Sequence, residues 1–132
     1  MSRTLALDYG AARCGVALSD PSGTLATPLP VVEQPGTRKG LGRVAELVAA
    51  NEVARVVVGL PLTLAGEEGA QAAETREWAG RLERRLQNVP VEFYDERLTT
   101  RQAERTGGSA AEDSRAAAHL LEAFLQAHRQ EV

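Results

Sequence analysis

The segment VARVVVGLP, residues 53–61, sets three valines in a row, Val56, Val57 and Val58. A strand with one face in water alternates apolar and polar side chains. An unbroken apolar run needs cover on both faces, as in a parallel sheet flanked by helices. Helical patterns stand on either side of it. Upstream, residues 37–50 place Leu41, Val44, Leu47 and Val48 at helical spacing. Downstream, after a long loop to Gly69, a helix to about Gln87 is expected to bury Ala70, Ala73, Trp78, Leu82 and Leu86, with Glu77 and Arg81 paired one turn apart. VPVEFYDER then reads as a last strand, and helices near residues 100–105 and 110–128 close the chain.

The opening segment follows another pattern. Residues 4–9 and 14–19 read as two strands joined by GAAR, with Gly10 free to take the positive φ such a turn often needs. DPSG, residues 20–23, has the Asp and Pro of a type I turn and leads to a short third strand around residues 24–26, ended by Pro28 and Pro30. The order βββ-α-β-α-β-α-α predicts an α/β fold: a mixed five-stranded sheet with helices on its faces, in one domain spanning 1–132. At 132 residues, 43% of them apolar and 25% charged, the chain can bury an ordinary core. No apolar stretch reaches membrane-span length, the N-terminus lacks a signal-peptide layout, and Cys14 is the only cysteine. A cytoplasmic protein with a buried, unreactive thiol is expected. The net charge of −3 argues weakly against a nucleic-acid partner. However, 14 of the 15 basic residues are arginine, the better reader of phosphate, and acids that bind metal are neutralised in a working enzyme.

Three of the four aspartates are out of place. Asp20 belongs to its turn, but Asp8 interrupts the first apolar strand. Asp95 and Glu96 end the last strand, where ligands gather in open α/β sheets. Asp113 lies one turn before Ala117, on the helix face that also carries Leu120, Leu121, Phe124 and Leu125. Each acid has an ordinary reading: Asp113 as a first-turn acid behind a capping box at SAAE, Asp95 or Glu96 as a cap, Asp8 as a turn acceptor. Together at one sheet edge they would repel one another, and a divalent cation would remove that conflict. Oxygen donors without clustered His or Cys favour Mg²⁺ or Mn²⁺ over zinc. Spacing alone does not establish that they converge.

The motifs LALDYGAARCGVALSDPSGTLATPL, VVVGLPLTLAGEEG, FYDERLTT and EDSRAAAHLL resemble those of the YqgF family, also called RuvX, over nearly the whole chain. The resemblance implies a ribonuclease H-like fold with strand order 3-2-1-4-5 and only strand 2 antiparallel. It implies a metal-dependent nuclease, linked to 5′-end maturation of pre-16S rRNA and, through the fold, to Holliday junctions. The family's catalytic and metal-binding acids would then be Asp8, Glu96 and Asp113, with Asp95 beside them. Two segments depart from the family: RTGGSAAED stands where a basic stretch is usual, with Arg105 its only cation, and TLAG replaces a polar turn.

The implied chemistry is in-line phosphodiester hydrolysis with two Mg²⁺ or Mn²⁺ ions about 3.5–4 Å apart. Arg13 and Arg97 are the candidate substrate-binding residues; Arg101 and Arg115 are expected to pair with acids or face solvent. Tyr9 and Phe93 are expected in the core, and His119 has no catalytic role. The expected partner is nucleic acid (pre-rRNA, branched or single-stranded DNA), with no membrane and with a homodimer left open. Two alternatives stand beside the nuclease: a non-catalytic nucleic-acid-binding domain of the same fold, and an actin-like ATP-binding module. The latter normally needs a second copy of the domain.

Overall fold

The computed structural model describes residues 2–98 and 110–129. Its elements run β1 (Arg3–Asp8), β2 (Arg13–Ser19), β3 (Ala26–Glu33), α1 (Arg38–Ala50), β4 (Val53–Leu60), α2 (Ala70–Leu86), β5 (Val91–Asp95), a 3₁₀ turn (Glu96–Leu98) and α3 (Ala110–Arg129). The five strands form one sheet in the order β3-β2-β1-β4-β5. β2 is antiparallel to both neighbours, whereas β1, β4 and β5 are mutually parallel, so β2 alone opposes the rest. The valine run forms β4, in the interior of the sheet, as its composition requires.

Period-2 alternation divides the strands between two layers. Leu5, Leu7, Val16, Val56 and Val58 face α1 and α2, packing on Leu41, Val44, Trp78 and Leu82. Ala6, Ala17 and Val57 face α3, against Ala117, Leu121 and Phe124. Thr37 caps α1, its hydroxyl accepting from the Gly40 N–H at 3.0 Å. The indole of Trp78, buried in the first layer, donates to the Pro35 carbonyl at 2.9 Å. Asp20 closes its turn by accepting from the N–H groups of Thr24 and Leu25, and the Ser22 hydroxyl leads these contacts in pulling its carboxyl down to about 2.

Four expectations need correction. Gly10 does not take a positive φ; its lack of a side chain matters because a Cβ there would lie 2.8 Å from the Arg13 carbonyl oxygen. β3 runs through Pro28 and Pro30 to Glu33 instead of ending before them; as an edge strand it pairs on one side only, so missing N–H groups are tolerated. α2 buries Ala72, Thr75, Trp78, Ala79 and Leu82, leaving Ala70 and Ala73 exposed, because the apolar stripe is rotated to follow Trp78. Arg81 does not pair with Glu77; it donates to the Gly36 carbonyl at 2.8 Å, tying α2 to the loop before α1. The helix expected near 100–105, and Ser109 of the capping box, lie outside the described residues.

Leu121 is fully buried between α3 and the sheet. Leu121→Ala is expected to lower unfolding free energy by about 2–5 kcal/mol in urea titration. A loss under about 1 kcal/mol would mean that this layer is not closely packed.

Candidate active site

Asp8 is the last residue of β1 and only 5% exposed. It lies two residues beyond Ala6, so its side chain belongs to the α3 face. Both neighbouring strands present glycine there. Gly15 of β2 is paired directly with Asp8. On the other side Leu7 is paired with Val58, which brings Gly59 of β4 alongside. Gly15 shares the face of Ala17, and Gly59 that of Val57. Asp8 is thus flanked, on one face, by two positions without side chains.

The backbone of Asp113 and the side chain of Glu96 fill those two gaps. A Cβ on Gly15 would lie 2.1 Å from the backbone oxygen of Asp113, so the first turn of α3 rests on β2 at that point. The Ser114 hydroxyl donates to the Leu29 carbonyl of β3 at 2.5 Å and pins the same turn. A Cβ on Gly59 would lie 2.8 Å from Cγ and Oε1 of Glu96, so this side chain folds back over β4. Glu96 is 5% exposed. Asp8, the Glu96 side chain and the backbone of Asp113, as much as 105 positions apart in sequence, are therefore brought to one end of the sheet on the α3 side. Sequence reasoning missed the two glycines, although a glycine inside an apolar strand is itself a signal of close approach.

Arginines adjoin these acids. Arg13 Nε donates to Asp113 Oδ2 at 2.7 Å. Arg97 is bound to Asp95, with Nη2 2.7 Å from Oδ2, and this contact holds the Asp95 carboxyl below its usual range. Arg97 also reaches the Leu64 carbonyl at 3.4 Å, bracing the loop after β4. Both arginines proposed for phosphate thus hold acids here. Arg115 is exposed, and Arg101 lies outside the described residues. Cys14 is fully buried; burial, then the charge of Asp8, pushes its thiol pKa up, which leaves it inert. Tyr9 turns to the opposite layer, stacks on Trp78 at 4.7 Å and donates to Glu74 Oε2; burial, then that bond, raises its pKa to about 12. Phe93 packs at the edge of the same layer, and His119 is engaged by Glu122.

Among the described residues, no group of three or more Asp, Glu, His or Cys side chains is arranged to hold an ion as it stands. The donor chemistry nonetheless suits a hard cation: the three acids offer only oxygens. Asp8 has other interactions, but its Oδ1 is buried and accepts no hydrogen bond among the described residues.

Residues 2–127 match the family model described as RuvX, Holliday junction resolvase. A protein of Nocardioides sp. named "Putative pre-16S rRNA nuclease" is 45% identical, the match covering 95% of this chain and 88% of that protein. One of the same name from Mycobacterium leprae is 47% identical over 86% of this chain and 64% of its own length. Among solved structures, Thermus thermophilus RuvC in complex with a Holliday junction substrate superposes with a TM-score of 0.62 at 18% identity, covering 98% of this chain and 97% of that one. At that identity the likeness speaks to the fold.

The glycines give a direct check. Gly15→Ala sets a Cβ against helix backbone and is expected to lower stability by about 1–3 kcal/mol. Gly59→Ala meets the Glu96 side chain first rather than helix backbone, so its thermal midpoint should fall by less than that of Gly15→Ala while the Glu96 resonances shift. Equal destabilisation by both would refute this account of the two gaps.

Proposed function

The chain belongs to the RuvX family, and on that premise we propose that it is a divalent-metal-dependent nuclease whose catalytic and metal-binding acids are Asp8, Glu96 and Asp113. The observation that supports the assignment is the approach of the Asp113 backbone and the Glu96 side chain to the two glycines that flank Asp8. Its substrate is nucleic acid, with the 5′ end of pre-16S rRNA as the physiological target suggested by the relatives' names and branched DNA as the one suggested by the family description. The cytoplasm is the proposed setting; no helix among the described residues is long and apolar enough to cross a membrane.

Each residue has a role its position supports. Asp8 is held by a central strand paired on both sides, which fixes a ligand more rigidly than a loop. Glu96 and Asp113 close in from the end of β5 and from α3. When bound, Mg²⁺ or Mn²⁺ supplies an activated water and stabilises the leaving oxygen. Arg13 competes with a cation for Asp113 Oδ2; released, its planar donors stand beside the acids, where a phosphodiester carries its charge. Arg97 meets the same backbone from the loop after β5, steadied by Asp95. Asp95, held by Arg97, is an orienting group in this scheme rather than a ligand.

Hydrolysis of RNA leader fragments or four-way DNA junctions should require Mg²⁺ or Mn²⁺; Ca²⁺, with its looser geometry, should support binding but little cleavage. Asp8→Asn should reduce the rate by several orders of magnitude, by analogy with the loss of other essential charged groups. Its thermal midpoint in metal-free buffer should stay level or rise, because one of several neighbouring acids is neutralised. Activity surviving complete chelation would refute the mechanism. Lower stability with cleavage retained would instead mark Asp8 as structural and favour a non-catalytic binding domain.

A further inference from the structure

On the layer away from α3, the surface between α1 and α2 forms an open groove of about 550 Å³ lined by Arg38, Lys39, Gly42, Arg43, Glu46 and Arg85. Four of these six residues are cationic in a chain whose net charge is −3. Glu46 is the single acid in the lining, and it stands 3.9 Å from Arg43. Arg38, Lys39 and Arg85 are exposed and have no ion pair among the described residues. Arg85 lies over the glycine of α1, its Nη2 3.0 Å from where a Gly42 Cβ would be.

The placement runs against local preference. The first turn of α1 carries no acid, and Arg38 and Lys39 occupy it, at the positive end of the helix dipole. Cations there are unfavourable for the isolated helix and favourable once an anion is bound. We infer that this groove binds the sugar–phosphate backbone of the nucleic-acid substrate at a position removed from the cleavage site. The inference rests on the nuclease reading for the identity of the partner.

The fold supplies the path between the two sites. Asp8 leads directly into the turn that joins β1 to β2, and the carbonyl of Ala12 in that turn accepts from the Gln34 N–H at 2.9 Å. Gln34 precedes Thr37, the cap of α1, by three residues. The cationic first turn of α1 therefore stands at the same end of the sheet as the acids, but across its thickness. On this inference a backbone leaving the acids passes over the end of the sheet, beside the β1–β2 turn, to enter the groove. The site thus selects substrates that extend well beyond the scissile bond, such as stem-loop RNA or branched DNA, over short oligonucleotides.

The triple variant R38Q/K39Q/R85Q tests this, since all three side chains are exposed and their neutralisation leaves the core intact. Binding of a long stem-loop RNA, a four-way DNA junction and a short single strand is measured by fluorescence anisotropy in chelator across a salt series, with cleavage measured in parallel. For the long ligands the slope of log K against log[salt] should flatten by about 2–3 units, from three lost phosphate contacts at roughly 0.7–0.9 each. For the short strand, binding and cleavage should be those of the wild type. An unchanged slope with active wild-type enzyme overturns the groove and leaves the nuclease standing. A flattened slope in a chain that cleaves nothing supports the groove and overturns the nuclease. Equal loss on short and long ligands also overturns the inference, because the groove would then act at the cleavage site itself.

Discussion

The approach of α3 to β2 at Gly15, where a Cβ would stand 2.1 Å from the Asp113 carbonyl oxygen, governs how the acidic site can exist. A strand residue with any side chain would push the first turn of the helix outward and carry Asp113 with it. The layer behind this contact is built to the same end. Its sheet side presents Ala6, Ala17 and Val57, and its helix side Ala117 and Ala118 among larger residues further along. Small side chains at the start of the helix and Leu120, Leu121, Phe124 and Leu125 beyond them set the helix close at the site, with bulk packing away from it. The opposite layer, with Leu5, Leu7, Val44, Trp78 and Leu82, has no such constraint and supplies more conventional bulk.

Charge at the site is arranged in the same economical way. Two nearly buried carboxylates and a half-buried third would raise one another's free energy if nothing answered them. Arg13 answers Asp113 of these three, and Arg97 is held beside them by Asp95, each pair at 2.7 Å. These pairs are partly exposed, so their direct contribution to stability is small. Their larger effect is positional: each holds a guanidinium beside the acids, with its planar donors already oriented for an oxyanion.

Much of the fold was legible because its signals are local. The valine run demanded a doubly covered strand, Thr37 and the spacing that follows it mark α1, and Asp20 chose its turn. The path of β3 through two prolines was not legible, since whether a missing N–H matters depends on which side of the strand has a neighbour. The rotation of α2 was equally hidden: Ala72 and Ala73 are the same residue type, and only the docking of Trp78 beneath Pro35 decides which one is buried. At the site, an acid inside an apolar strand flagged Asp8, but its placement at one sheet end with Glu96 and the first turn of α3 is a property of register. Asp8 opposite Gly15 and Leu7 opposite Val58 are pairings that no single segment encodes.

Register also explains why acids and basic groove fall on opposite sides of one sheet while sharing an end of it. Successive residues of a strand point to opposite layers, so Asp8 and Tyr9 divide the end of β1 between them. Asp8 faces α3 and the other acids, whereas Tyr9 stacks on Trp78 in the layer of α1 and α2. The Gln34–Ala12 hydrogen bond then fastens the approach to α1 onto the same turn. One strand end thereby orients both layers: a shift of β1 by one residue would exchange the two side chains, burying the tyrosine against α3 and turning the carboxylate toward Trp78. The apolar identities of Leu5, Ala6 and Leu7 oppose that slip, since the large leucines fit only the bulky layer and the alanine only the thin one. The core residues of β1 thus secure the position of its terminal acid, which is how an otherwise ordinary strand comes to hold a carboxylate fixed at its buried end.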